Sequence, residues 1–195
     1  MKTRRIVLFI AALICIVVGT AAADSKEYRF DQEASHLEGA IKYAVVGTYE
    51  ARFGEFEGTL NFDERHIENS TVDLKVHTDS IRSRYPRLDR IVRSPRLLDA
   101  AAYPYITFKS QSIRKVPEGY QIDGRVQLHS ITKDFTFNFV FEGPYRAGDE
   151  MYIRANGQWI INRKDFDIIW SRWLDYGGVV VGDNITVDWE ILAFN

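Results

Sequence analysis

Cysteine is almost missing from this chain: Cys15 is the only one in 195 residues, and it sits in an apolar run near the N-terminus. The remainder can use neither disulfides nor thiolate chemistry and must fold by burying a core. Proline is scarce, with five residues, all where turns or loops are expected. Linkers, low-complexity stretches and internal repeats are absent. There is no excess of positive charge either, since 25 Lys and Arg face 27 Asp and Glu, which argues against a general nucleic-acid role.

The N-terminus is distinct. Lys2, Arg4 and Arg5 precede an apolar run from Ile6 to Val18, and Ala21-Ala22-Ala23 supplies small residues before Asp24. This reads as a secretory signal cleaved after residue 23. The run is short for a membrane span, which needs about 20 apolar residues. A lipid-anchored Cys15 is disfavoured by bulky Ile14 before it. Without residues 1–23 the balance becomes 22 basic against 27 acidic, or −5, in 24–195, which we read as one domain.

Apolar residues then recur with period two, the mark of strands with one buried face. Val72, Leu74 and Val76 alternate with Asp73, Lys75 and His77; Ile122, Gly124, Val126 and Leu128 alternate with Asp123, Arg125 and Gln127. Phe135, Phe137, Phe139 and Phe141 share one face, and Ile185, Val187, Trp189 and Ile191 share another. Eight strands are predicted at 37–44, 50–62, 70–78, 104–113, 119–130, 133–142, 150–161 and 184–193, with a short lead-in at 28–31. Short connections imply antiparallel neighbours. Closure into an eight-stranded barrel removes exposed edges and leaves room for side chains or one small ligand; a β-sandwich is the competing architecture.

One long interruption spans 79–103. Within it, "SIRSRYPRLDRIVRSPRLLD" carries six arginines, Arg82, Arg84, Arg87, Arg90, Arg93 and Arg96, against Asp89 and Asp99. Pro86 can open a helix and Ser94-Pro95 can end it. On a helical wheel Leu88, Ile91 and Val92 fall on one side and Arg87, Asp89, Arg90 and Arg93 on the other. An amphipathic lid on the barrel is predicted.

Catalytic patterns are lacking. His36, His66, His77 and His129 are scattered without metal-ligand spacing, and no nucleophile elbow, Walker loop or HExxH occurs. Asp165, Asp167, Asp175 and Asp183 could imitate a carboxylate pair, but acids are common enough for chance proximity. "NST" from Asn69 and "NIT" from Asn184 match glycosylation acceptors, a pattern frequent by chance. Twelve Phe, ten Tyr and four Trp suit a large core or an aromatic-walled cavity. Trp170 and Trp173, in a loop, suggest a cavity mouth or flap. Neither an enzyme nor a metal or cofactor site is expected.

Several segments form an ordered set of marks: Tyr28 with Phe30-Asp31; Ala51, Phe53, Phe56 and Gly58; Ser80-Ile81; Val92, Ser94, Leu97 and Asp99, leading into "YPYITFKS" from Tyr103; "LHSITK" from Leu128; Arg163, Asp165 and Phe166; and Val181-Gly182-Asp183. Running in this order along almost the whole chain after the leader, they resemble the YceI-like family of periplasmic, lipocalin-like lipid-binding proteins. The departures are Ala34 and Tyr43 where the family carries histidines, Leu88-Asp89-Arg90-Ile91 in place of Arg-Asp-x-His, and Ala51, Ser130 and Asp167 in place of glycines.

The resemblance implies an all-β fold with one short helix: an eight-stranded antiparallel lipocalin-like barrel with a helical crossover at 79–103. It further implies a non-catalytic periplasmic or secreted protein that holds a polyisoprenoid or similar amphiphilic lipid. The predicted inward face is Val72, Leu74, Val76, Ile106, Phe108, Ile122, Val126, Leu128, Phe135, Phe137, Phe139, Trp159, Ile161, Phe166 and Ile168. Arg82, Arg84, Arg87 and Arg90 are candidates for holding a pyrophosphate or carboxylate head group. Two other roles compete for them, a solvated helix face and a transient contact with an anionic membrane surface. A homodimer is compatible with the sequence. The alternative function is an interaction or inhibitor module that uses the barrel as scaffold and the arginine loop as contact surface.

Overall fold

The computed structural model describes residues 25–43, 47–170 and 181–195. The expected leader at 1–23 and the part of the tryptophan loop at 171–180 lie outside them. Eleven strand segments form one closed antiparallel sheet: β1 (Ser25–Phe30), β2 (His36–Tyr43), β3 (Gly47–Phe53), β4 (Phe56–Asp63), β5 (Thr71–His77), β6 (Ile81–Arg82), β7 (Tyr105–Val116), β8 (Gly119–Leu128), β9 (Ile131–Ala147), β10 (Glu150–Asn162) and β11 (Val181–Phe194). The helix α1 (Pro86–Arg93) lies between β6 and β7.

The segments reduce to eight staves, because three staves are bent. β1 and β2 both pair with β11 on one side, and with β4 and β3 on the other. β3 and β4 likewise face β6 and β5. The eight-stranded antiparallel barrel read from the sequence is therefore the fold, and its lead-in is the lower half of the first stave. The sandwich is excluded by the β11–β1 and β11–β2 ladders, which close the ring.

Each bend has its own hydrogen bonds. At 31–35 the Asp31 carboxylate accepts from the amides of Glu33 and Ala34 (3.0 and 3.1 Å), and Ser35 Oγ both donates to and accepts from the Leu192 backbone. The predicted single strand 50–62 breaks at Gly54-Glu55, where Gly54 N donates to Ser80 O and Glu55 O accepts from His77 N. Those groups belong to the bend of the next stave, so the two bends hold each other.

Other predicted bounds shift outward. The connections expected at 114–118 and 143–149 are mostly strand, since β7 runs to Val116 and β9 to Ala147, leaving two-residue turns at Pro117-Glu118 and Gly148-Asp149. Positive φ at Gly119 and Gly148 lets the chain reverse there.

Alternation divides the two faces. Asp73, Lys109, Arg125 and Asp134 oppose one another in a row across the outside of β5, β7, β8 and β9. Asp123 on the same surface accepts from Ser112 Oγ, Thr136 Oγ1 and Arg114. This is charge outside and hydrocarbon inside, the reverse of a porin-type membrane barrel.

A lidded apolar cavity as candidate functional site

Inside the ring lies a cavity of about 310 Å³ with almost wholly apolar walls, within the usual range for small-molecule pockets. It runs from α1 at one end to Phe62, Phe141 and Ile153 at the other. Ile67, on the turn between β4 and β5, packs over that far end. Two glycines make the wall rings fit. A Cβ on Gly124 would lie 2.4 Å from the Phe108 ring, and one on Gly58 would lie 2.3 Å from that of Phe30, so each ring lies flat across a neighbouring stave.

Of the sequence-predicted wall residues, Val72, Leu74, Val76, Ile106, Phe108, Ile122, Val126, Phe137, Phe139, Trp159, Ile161 and Ile168 line the cavity. Leu128, Phe135 and Phe166 do not. They are core instead: Phe166 is 0 % exposed and stacks on Phe135 at 5.9 Å and 11°, and Leu128 is buried in the same cluster. The turn Arg163–Phe166 after β10 folds Phe166 in and fills the space beside Phe135.

Staves 1, 2 and 8 contribute wall that the prediction missed, including Leu37, Ile41, Tyr49, Phe53, Val187 and Trp189. The shared face of Ile185, Val187, Trp189 and Ile191 was the signal for the last of these. Trp159 meets Phe137 edge-on at 4.1 Å, and Phe137 in turn contacts Trp189. The two indole nitrogens are buried with no hydrogen-bond partner among the described residues. The wall thus offers aromatic and aliphatic surface in place of polar pairing.

The helix closes one end, as its sequence predicts. Leu88, Ile91 and Val92 face the cavity, and Leu97 and Leu98, folded back beneath the helix, complete the cap. Leu98 N donates to Val92 O, and Ala100 N to Arg93 O, which fixes the return chain. Beyond it Tyr103 stacks on His129 at 4.5 Å.

Asp89 departs from the wheel. It was placed on the polar side, yet it is 2 % exposed and turned toward the barrel. Oδ1 accepts from Tyr49 Oη (2.9 Å) and Ser83 Oγ (2.5 Å), and Oδ2 accepts from Ser83 N (3.0 Å). Burial pushes this carboxyl up, but the bonds from Ser83 and Tyr49 and the Arg93 charge outweigh it, leaving the pKa below the usual carboxylate value. Burial first, and then the Asp89 bond, pushes the Tyr49 phenol far above its ordinary value. Tyr49 is itself a wall residue, so the bond latches the lid to the cavity wall.

The four candidate head-group arginines are not on the wall. Arg82 donates to the carbonyls of Asp79 and Ile81 (2.5 and 2.8 Å), Arg84 lies over the Tyr85 ring, and Arg87 and Arg90 are exposed on the outer face of α1. With the apolar side of the helix turned inward, charges on its opposite side must face water. The arginine that does reach the wall is Arg163, 1 % exposed. It donates to the carbonyls of Ile168, Trp170, Val181 and Gly182 and to Asp183 Oδ1. Burial pulls its pKa below the ordinary guanidinium value, against the Asp183 charge. Its donors are committed to the protein's own backbone, which ties β10 to the start of β11.

The description "YceI-like domain" matches residues 28–193, nearly the whole described chain. The chain belongs to the YceI-like family. A UPF0312 protein of Yersinia enterocolitica is 30% identical over 175 residues, covering 83% of this chain and 88% of its own. Among solved structures, Burkholderia cenocepacia BcnA superposes with a TM-score of 0.71 at 19% identity, over 84% of this chain and 98% of that one. A polyisoprenoid binding domain from Saccharophagus degradans gives 0.60 at 13% identity, over 85% and 97%. At such identities the two structures share the barrel with this YceI-like chain. Among the described residues no cluster of three or more His, Cys, Asp or Glu could hold a metal ion.

Proposed function

We propose that this YceI-like chain is a non-catalytic carrier that holds one long apolar chain, polyisoprenoid-like, along the barrel axis, and that it works in the periplasm or outside the cell after export. The observation that carries the reading is the apolar cavity running beneath the lid through the barrel. Along β10 the cavity wall runs from Ile153 to Ile161; at about 3.3 Å per residue and a tilt of about 40° that is about 20 Å along the barrel axis. That suits a long chain better than a compact ligand. The Saccharophagus neighbour is described as polyisoprenoid binding, which supports the ligand class. The apolar run before Asp24 supports export.

Burying hydrocarbon yields about 0.8 kcal/mol per CH₂. Ten such groups give about 8 kcal/mol before association costs of several kcal/mol, so useful affinity requires a longer chain. The scaffold reading calls for a filled interior, and the cavity favours the carrier. Organic extraction of the purified protein followed by mass spectrometry, with uptake of an added long-chain polyprenol, tests the proposal. One lipid per protein is expected. Repeated recovery of no lipid together with no uptake overturns it.

A further inference from the structure

We propose that the outer face of the lid docks on an anionic lipid bilayer, so that the helix closing the cavity is also the surface that meets the membrane. The proposal rests on the carrier reading for its purpose and on the lid's charge for its chemistry. Arg84, Arg87, Arg90 and Arg96 are exposed, and none forms an ion pair among the described residues. Arg82 spends its donors on backbone carbonyls and keeps its charge on the same segment, whereas the Arg93 charge is partly offset by buried Asp89.

Residues 80–99 carry +4, so the −5 of residues 24–195 leaves −9 on the rest. Such a separation turns the lid toward a negative surface while the barrel is held off. Tyr85, 42 % exposed beside Arg84, adds the aromatic group common at the water–lipid boundary. A bilayer is favoured over another anionic macromolecule because the opposite side of this helix, Leu88, Ile91 and Val92, is cavity wall. Whatever sits against the lid sits where a hydrocarbon chain would enter.

Each basic residue near an anionic bilayer is worth about a fivefold change in partition. The test is co-sedimentation of the full mature chain with vesicles of phosphatidylcholine containing a quarter phosphatidylglycerol, and with phosphatidylcholine alone. Binding to the anionic vesicles only, falling with salt, is expected; Arg87→Glu with Arg90→Glu should weaken it by about 25-fold or more. Arg125→Glu, on the side of the barrel, should change it by less than about twofold. Both variants should melt within about 4 °C of the native chain, since neither alters a buried contact and Arg125→Glu reverses only an exposed cross-strand pairing with Asp134. Equal binding to both vesicles, no binding to either, or indifference to the lid reversal overturns the proposal. Vesicle binding needs no cargo, and polyprenol uptake can be measured without vesicles, so failure of docking and failure of the carrier reading are separate results.

Discussion

Replacing Tyr49 by Phe removes a single oxygen and asks how much of the lid's closure depends on one hydrogen bond. The ring stays on the cavity wall, where Tyr49 is 6 % exposed. What is lost is the 2.9 Å donation to a carboxylate that is itself 2 % exposed. A hydrogen bond to a charged buried group is worth about 1.5–3 kcal/mol. Taking about 2 kcal/mol, the melting temperature should fall by about 4–8 °C for a chain of this size. The pH dependence gives a second readout. Asp89 has its folded pKa below the unfolded value, so its contribution is present above about pH 3.9 and is lost as pH falls through the folded pKa. Loss of the tyrosine donor raises that folded pKa. The stability gap between native and Y49F chains should therefore be full at pH 7 and narrow below about pH 4. Urea unfolding at several pH values measures it, and hydrogen exchange at amides 87–93 should quicken in the variant. A gap under about 0.5 kcal/mol at pH 7, or one that widens on acidification, refutes the latch.

Ala155→Trp places an indole on a small wall position of β10; polyprenol uptake should drop at least about tenfold, with the barrel still folded by circular dichroism. Unchanged uptake would mean that the cavity is not the binding site. Arg163→Lys keeps the charge but loses the planar fork that serves four carbonyls and Asp183, and should destabilise by about 3 kcal/mol in denaturant titration. A loss below about 1 kcal/mol would show that the fork is dispensable.

Period-two alternation made Val72, Leu74 and Val76 legible as an inward face, because in a closed barrel every inward position looks at the axis. The same rule could not separate wall from plug. Phe135 and Phe137 alternate alike, yet Phe135 is covered by Phe166, which arrives from a turn whose path no local pattern states. Bends were hidden for a related reason. The residues on both sides of Gly54 continue one strand pattern, and the break lies in which strand each half pairs with. The resemblance marked Arg163 as a position without showing that it is buried. Asp89 was misplaced because a wheel sorts residues by polarity, while its burial depends on Tyr49, forty positions away. For the arginines, the charge was plain in the sequence, but their side of the lid follows from the packing of Leu88, Ile91 and Val92.

Those three contacts also determine when the lid can open. Exposing them to water forfeits about 1.5–3 kcal/mol for each fully buried side chain, an upper estimate for these half-buried ones, and the Asp89 latch adds about 2 kcal/mol. Arg87 and Arg90 are solvated whether the helix is open or closed, so they contribute nothing to closure. In water, then, the closed state is strongly preferred. If the lid docks on a bilayer as proposed, the balance changes, since Leu88, Ile91 and Val92 can leave the cavity for lipid instead of water and most of their term disappears, leaving the Asp89 latch and the Arg93 bond to Asp79 O to break. On that proposal, opening would be confined to the bilayer surface, and a hydrocarbon chain could pass without crossing water.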